Sequence, residues 1–359
     1  MHKDSIGLSI LVALCFLSNS LQAQLGERIR INGYSSFEFE KQFGEKGKGD
    51  PNASFDADLF DLVLNIYATN RLRIAADITW EHGSASEDDR GNVAIEYAFP
   101  EYTVTNWLKI RAGKMFVPFG IYNEIHTAKP AFLTVKEPLS TNKPHKFGTP
   151  ERFYPRWATG IAFLGNFTVN DKDFDYNLQI SNGEQDATNP FEEDDNKQKA
   201  IAGRLRFTPV HDLKIGLSFY KDSATELDQN DEDTGNRTNI FSYGGQLEWR
   251  VQNLGLEFEY VGGRVKQSNG MAQKARAFTL MGFYTLHELF TPYLRFEYLD
   301  PNTRLDNDTA RMFVYGINIE VDENLYLKAE LNTVDPNSGN SRFSGVGFTE
   351  FKFAIAVGF

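Results

Sequence analysis

From Thr349 to Phe359 the chain alternates Thr349, Phe351, Phe353, Ile355, Val357 and Phe359 with Glu350, Lys352, Ala354, Ala356 and Gly358. A strict period of two places the large residues on one face of a β-strand and the small or charged residues on the other. The pattern recurs upstream. Ile29, Ile31, Gly33, Ser35, Phe37 and Phe39 alternate with Arg30, Asn32, Tyr34, Ser36, Glu38 and Glu40, and Leu72, Ile74, Ala76, Ile78 and Trp80 with Arg71, Arg73, Ala75, Asp77, Thr79 and Glu81. Similar alternation runs through 174–180, 201–207, 213–219, 254–260, 313–321 and 325–331, and no stretch carries a convincing helical period. With the less regular segments included, about sixteen strands are expected, and the fold class is all-β.

Composition does not choose between a soluble and a membrane sheet. The 359 residues are 41% hydrophobic and 24% charged, which suits two soluble domains as well as one large sheet. After the amino terminus no apolar run approaches the roughly 20 residues a spanning helix needs. A spanning barrel has no such requirement, because only alternate residues meet lipid. Lys3, the apolar stretch Ile6 to Leu17 and Leu21-Gln22-Ala23 read as a signal peptide over 1–23, with a single domain over 24–359. Cys15, the single cysteine, lies in that apolar stretch behind Leu14, where a lipoprotein signal wants a small residue, so it is expected to be removed rather than lipidated.

The connections decide between the two. Short ones fall near 69–70, 104–106, 170–172, 209–212, 252–253, 287–289 and 322–324; long polar ones fall near 41–55, 81–92, 115–156, 183–196, 221–238, 266–273, 300–309 and 333–347. Strict alternation of short and long is the pattern of a transmembrane antiparallel up-and-down β-barrel, with turns on one rim and loops on the other. A soluble sandwich, the competing reading, has no reason to sort loop lengths that way. Trp80 and Trp157 fall on the long-loop side and Trp107 and Trp249 on the short-turn side, as aromatic girdles would place them, although Trp107 has lumen parity.

The third long connection is the outlier. Gly120 to Arg156 is about twice as long as its neighbours, follows Pro118, and carries further prolines at 130, 138, 144, 150 and 155. The element Arg111 to Gly120 (RAGKMFVPFG) running into this loop, with Gly33-Tyr34 in the first strand and Phe359 at the end, resembles Gram-negative outer-membrane porins, most of all the phosphate-selective O and P type. The resemblance implies that the third loop folds into the barrel and forms the constriction. It also implies a homotrimer in the outer membrane.

Charge points the same way. The loop carries Lys129, Lys136, Lys143, Lys146, Arg152 and Arg156 against Glu124, Glu137 and Glu151, in a chain of net charge −12. A basic constriction would favour anions; the competing reading is a set of solvated loop charges. Arg71, Arg73, Lys109, Arg111, Arg204, Arg206 and Lys214 have lumen parity near the short-turn rim. They are expected either to form an anion-guiding girdle or to pair with Asp77, Glu96, Glu248, Glu257 and Glu259. Two acidic groups, Glu184 to Asp195 and Asp222 to Asp233, read as solvated loop tips or as divalent-cation bridges to lipopolysaccharide.

Catalytic patterns are thin: Gly-x-Ser-x-Gly, a phosphate-cradling glycine loop and His-Glu-x-x-His are all absent from the sequence. A rim hydrolase would need a histidine near a carboxylate, and His82 with Asp88 or Asp89 is one arrangement open to it. The expectation is a passive channel for small hydrophilic or anionic solutes, without cofactor or nucleic-acid partner. A rim enzyme and a non-conducting structural barrel are the rivals.

Overall fold

The computed structural model describes residues 28–43, 52–81, 92–125, 128–140, 153–183, 194, 197–227, 233–268 and 270–359. Sixteen strands close one barrel in which every strand pairs with its sequence neighbours. They are β1 (Ile29–Phe43), β2 (Ser54–Tyr67), β3 (Leu72–Glu81), β4 (Asn92–Thr105), β5 (Leu108–Phe116), β6 (Trp157–Val169), β7 (Lys172–Ser181) and β8 (Ala200–Val210). There follow β9 (Leu213–Leu227), β10 (Asp233–Val251), β11 (Leu254–Lys266), β12 (Gln273–Tyr284), β13 (Phe290–Asp300), β14 (Ala310–Asp322), β15 (Leu325–Pro336) and β16 (Phe348–Gly358). A closed antiparallel barrel pairs its backbone groups strand to strand and leaves no open edge, which is what a lipid environment demands.

Closure depends on the terminal alternation. β16 pairs antiparallel with β1, Tyr34 opposite Gly358 and Phe43 opposite Thr349. Beyond the last pair, Gly33 N–H donates to Phe359 O at 2.8 Å and Phe359 N–H to Gly33 O at 2.9 Å. The Phe359 ring lies over Gly33 and stacks on Phe60 at 6.0 Å.

The period of two becomes an outside and an inside. Ile31, Leu217, Leu294 and Tyr315 lie exposed on the outer wall, where lipid would cover them. Trp80 shares this outward face, register-paired with Phe60 and Val93, and Trp249 is paired with Leu256 at the short-turn end. Inward positions alternate between charged residues such as Asp77, Glu259, Glu297 and Lys328 and small ones such as Ala202, Ala277, Ala310 and Ala356, all buried. The small residues leave room for the third loop, whose Val117, Phe119, Leu139 and Phe153 form a buried apolar cluster with the wall. The barrel therefore has part of its core inside the lumen.

One expectation needs correcting. The segment 221–238 read as a long loop, but β9 and β10 extend through most of it, pairing Lys221 with Phe241 and Ala224 with Thr238. Polar residues can continue a ladder beyond the membrane, where neither face has to be greasy, so alternation of hydrophobicity vanishes before the hydrogen bonds do.

Candidate functional site

The third loop leaves β5 at Val117 and returns to β6 at Arg156. Asn123 ties its two limbs together, donating from Nδ2 to Val117 O at 2.7 Å and to Arg156 O at 2.9 Å. Phe119 stacks on Tyr154 at 4.0 Å between centroids, bracing the same junction. Gly120 turns the chain inward at φ +62°, and a Cβ there would lie 2.3 Å from Glu259 Oε2. No side chain fits that turn without moving the carboxylate.

From that turn the loop crosses the lumen and docks on the wall from β8 round to β2. Carboxylates on the wall accept its backbone N–H groups: Ile121 donates to Glu259 at 2.6 Å, Val135 to Glu330 at 2.8 Å and Leu139 to Glu297 at 2.6 Å. The Tyr122 hydroxyl donates to Glu257 at 2.7 Å. In the other direction Lys328, 1% exposed, donates from Nζ to Lys129 O at 2.5 Å, to Thr134 O at 3.2 Å and to Phe132 O. Arg295 Nη1 donates to Lys136 O at 2.9 Å and Arg204 Nη1 to Gly120 O at 3.1 Å. Charge-assisted bonds of this kind are about twice as strong as neutral ones. The loop is thus held by its backbone, which explains how a proline-rich segment, with two single-turn 3-10 helices among its described residues, Asn123–Ile125 and Lys129–Ala131, is fixed there.

Its own charges finish the docking. Lys129 Nζ lies 3.2 Å from Glu38 and 3.3 Å from Asp58, while Lys136 Nζ lies 2.5 Å from Glu38 and 3.2 Å from Asp58. Burial opposes the Lys136 ammonium, but Glu38 and Asp58 override it and hold its pKa above the ordinary lysine value. Arg156 Nη2 pairs with Glu137 at 2.7 Å. Glu124 pairs with Arg204; burial would raise its carboxyl, and the guanidinium prevails and lowers it. Lys143, Lys146 and Arg152 lie outside the described residues, as do His82, Asp88 and Asp89.

The expected wall cations separate into two groups. Arg73 and Arg111 sit on either side of Glu101 in one inward rung, with Nη2 to carboxylate distances of 3.1 and 2.7 Å. Both guanidinium groups also lie over the Phe99 ring, at 5.8 and 4.1 Å from its centroid. On the next rung Thr103 has Lys109 opposite on one side and Arg71 hydrogen-bonded through the backbone on the other. Near the short-turn rim Arg73, Arg111 and Lys109, with Arg71 just ahead of β3, thus stand on or beside the rung of Glu101, while the buried carboxylates Asp77 and Glu96 lie farther along β3 and β4. Arg204 and Arg206 are instead compensated, by Glu124 and Asp175. Lys214 stands opposite Glu248.

Apart from Lys214 opposite Glu248, the pairing partners differ from those expected. Glu101, which sequence reasoning missed, serves Arg73 and Arg111, while Glu257 and Glu259 bind the loop. Lys328, Glu297 and Glu330 were missed as well, although each is a full charge at inward parity. Parity names the face a residue points to and is silent about what reaches it from across the lumen.

Below the loop lies a cavity of about 400 Å³. Tyr122, Pro130 and Phe132 roof it, and Arg206, Arg250, Glu248, Glu257, Glu288 and Glu320 contribute its charges, so this vestibule is net acidic. The loop spans the lumen above it, with the cationic wall of β3 to β5 outside its lining.

Residues 153–359 match the family described as "Putative beta-barrel porin-2, OmpL-like". An uncharacterized protein of Aquifex aeolicus (strain VF5) is 26% identical over 247 residues, covering 67% of this chain and 53% of that protein, so the match spans about half of the relative's length. Among solved structures, the anion-selective porin from Comamonas acidovorans aligns with 92% of this chain and 99% of its own at a TM-score of 0.64 and 11% identity. Salmonella typhi OmpF in complex with daunomycin aligns with 92% and 97% at 0.63 and 12% identity. The outer membrane channel DcaP of Acinetobacter baumannii gives 92% and 97% at 0.58 and 11% identity. At such identities the structures attest the fold, and the family match covers more than half of the chain: it belongs to the OmpL-like beta-barrel porin-2 family and is a barrel protein of the bacterial outer membrane.

Proposed function

We propose that the protein is a passive diffusion channel for small hydrophilic solutes, with the third loop as its constriction and a preference for anions. The observation that carries the preference is the set Arg71, Arg73, Lys109 and Arg111 on two adjacent rungs near the short-turn rim, where Glu101 is the carboxylate that pairs with Arg73 and Arg111. An excess of fixed positive charge on a lumen wall raises the local concentration of anions and lowers their barrier. The described loop lysines contribute differently: Lys129 and Lys136 spend their charge on Glu38 and Asp58 and hold the loop in place. Paired arginines suit planar or tetrahedral oxyanions, phosphate among them, through bidentate contacts. The homotrimer expected from resemblance is part of the proposal, supported by a trimer form of the similarly folded OmpT of Vibrio cholerae; cross-linking in native membranes tests it.

The deciding measurement is the reversal potential of the purified protein in a planar bilayer under a potassium chloride gradient. Wild type should show discrete conductance steps and an anionic reversal potential. Arg73→Gln with Arg111→Gln should move that potential toward cations without abolishing the steps. If the double variant reverses at the wild-type potential, the cluster does not set selectivity. A cationic wild type would instead assign control to the acidic vestibule of Glu248, Glu257, Glu288 and Glu320.

A further inference from the structure

The outer wall carries a charged patch of its own, at the long-loop ends of β9, β11, β12 and β14. Lys221, Arg264, Lys266, Lys274, Arg276 and Arg311 are exposed there. Each has the outward parity of membrane-facing neighbours such as Phe219, Phe278 and Phe313. Register makes the patch continuous: Lys221 faces Phe241, Phe241 faces Arg264 and Arg264 faces Lys274, so these four side chains share one rung.

Two of the cations have local compensation. Arg276 Nε binds Asp300 at 3.0 Å and lies over the Tyr298 ring at 5.9 Å, and Arg311 stands opposite Asp335. Lys221, Arg264, Lys266 and Lys274 have no ion-pair partner among the described residues. Arg264 and Lys274 are direct cross-strand partners, and like charges in that position repel. An anion bridging them would turn the repulsion into attraction.

What lies next to the patch identifies the anion. Phe241, on the cations' own rung, leads to Tyr243 and Tyr260 below it with centroids 6.1 and 6.2 Å apart, and Phe278 and Tyr298, on the rung of Tyr260, stack at 5.5 Å. Rings of this kind settle at headgroup depth in a membrane, with cations just beyond them at the level of lipid phosphates. The patch is densest on this arc: among the described residues the outward positions of β15 and β16 carry no lysine or arginine, and those of β1 and β5 carry one each, Lys41 and Lys114.

We infer that this arc is a docking surface for the phosphate groups of a phosphorylated glycolipid of the outer leaflet, with the aromatic run beneath receiving its acyl chains. The inference rests on the outer-membrane location and is independent of the channel's ion preference.

The test uses the full-length barrel purified in a non-ionic detergent and titrated with lipopolysaccharide, with bound lipid read by native mass spectrometry. Lys221→Gln, Arg264→Gln, Lys266→Gln and Lys274→Gln combined should weaken binding by at least about tenfold, as the loss of several headgroup-level cations demands. Dephosphorylated lipopolysaccharide should bind wild type about as weakly as intact lipid binds the variant. Replacing the three lysines by arginine should retain binding, which guards against a variant that simply fails to fold. Bilayer conductance of the glutamine variant should match wild type, because none of these residues faces the lumen. Equal binding by the glutamine variant, or equal binding of dephosphorylated lipid, would overturn the inference whatever the conductance shows.

Discussion

Lys328 shows how one side chain can govern a whole loop. Its ammonium satisfies three carbonyls of the third loop inside the barrel, and Glu330 on the same strand takes the Val135 N–H. Lys328→Met keeps the stem and leaves buried carbonyls without a donor, a cost of about 1–3 kcal/mol. We expect a lower unfolding temperature in detergent and noisier single-channel current; a quiet variant would show that the loop holds without this residue. Glu124 makes a pH-dependent counterpart. Its carboxyl sits below the ordinary value of 4.5 because of Arg204, so the pair stabilises the fold above that value and is lost as pH falls through the lowered one. The stability gap between wild type and Glu124→Gln should accordingly be constant from neutral pH down to about 5 and close at lower pH. A gap that persists in acid would mean that the charge of Glu124 is irrelevant. Neither role was legible in the sequence. Lys328 lies 199 positions from Lys129 and Glu124 lies 80 from Arg204, and only the path of the loop reveals that each is a loop anchor.

At the scale of elements, the strands were legible because lipid enforces a period of two on the outward residues, as in β16, where Phe351, Phe353, Ile355 and Val357 share one face. Where lipid ends, so does the signal, which is why the outer ends of β9 and β10 read as loop. Closure of β1 on β16 has a specific weak point. A Cβ at Gly33 would lie 2.4 Å from Asp61 O and 2.4 Å from the Phe359 ring. Gly33→Ala therefore has to displace the terminal ring from its seat or spread β1 from β2. We expect a smaller fraction of compact, heat-modifiable barrel on unboiled gels. Removing the ring in the same chain, Gly33→Ala with Phe359→Ala, should recover part of the loss if the clash with the ring is its cause.

For the whole molecule, sixteen strands could be expected from alternation and loop lengths, and an inward third loop from the resemblance to porins, yet the division of labour among charges could not. Lys129, Lys136, Lys143 and Lys146 read as a basic constriction because the sequence presents them as an unbalanced basic segment, and of these Lys129 and Lys136 are among the described residues. In the barrel the wall supplies the balancing carboxylates: Glu38 and Asp58 for Lys129 and Lys136, and Glu259, Glu297 and Glu330 for backbone N–H groups. That arrangement makes an unusual claim about a channel without the loop. Joining Gly120 to Tyr154 through a short glycine-serine turn would widen the lumen and leave those carboxylates facing water on β1, β2, β11, β13 and β15. The cations of β3 to β5 would remain, but would be outnumbered. Conductance should rise, and the reversal potential should swing toward cations, although the excised segment contains glutamates as well as lysines. A loop-free channel that kept an anionic reversal potential would show that the wall of β3 to β5 dominates even an open lumen, and that the docking carboxylates matter for architecture alone.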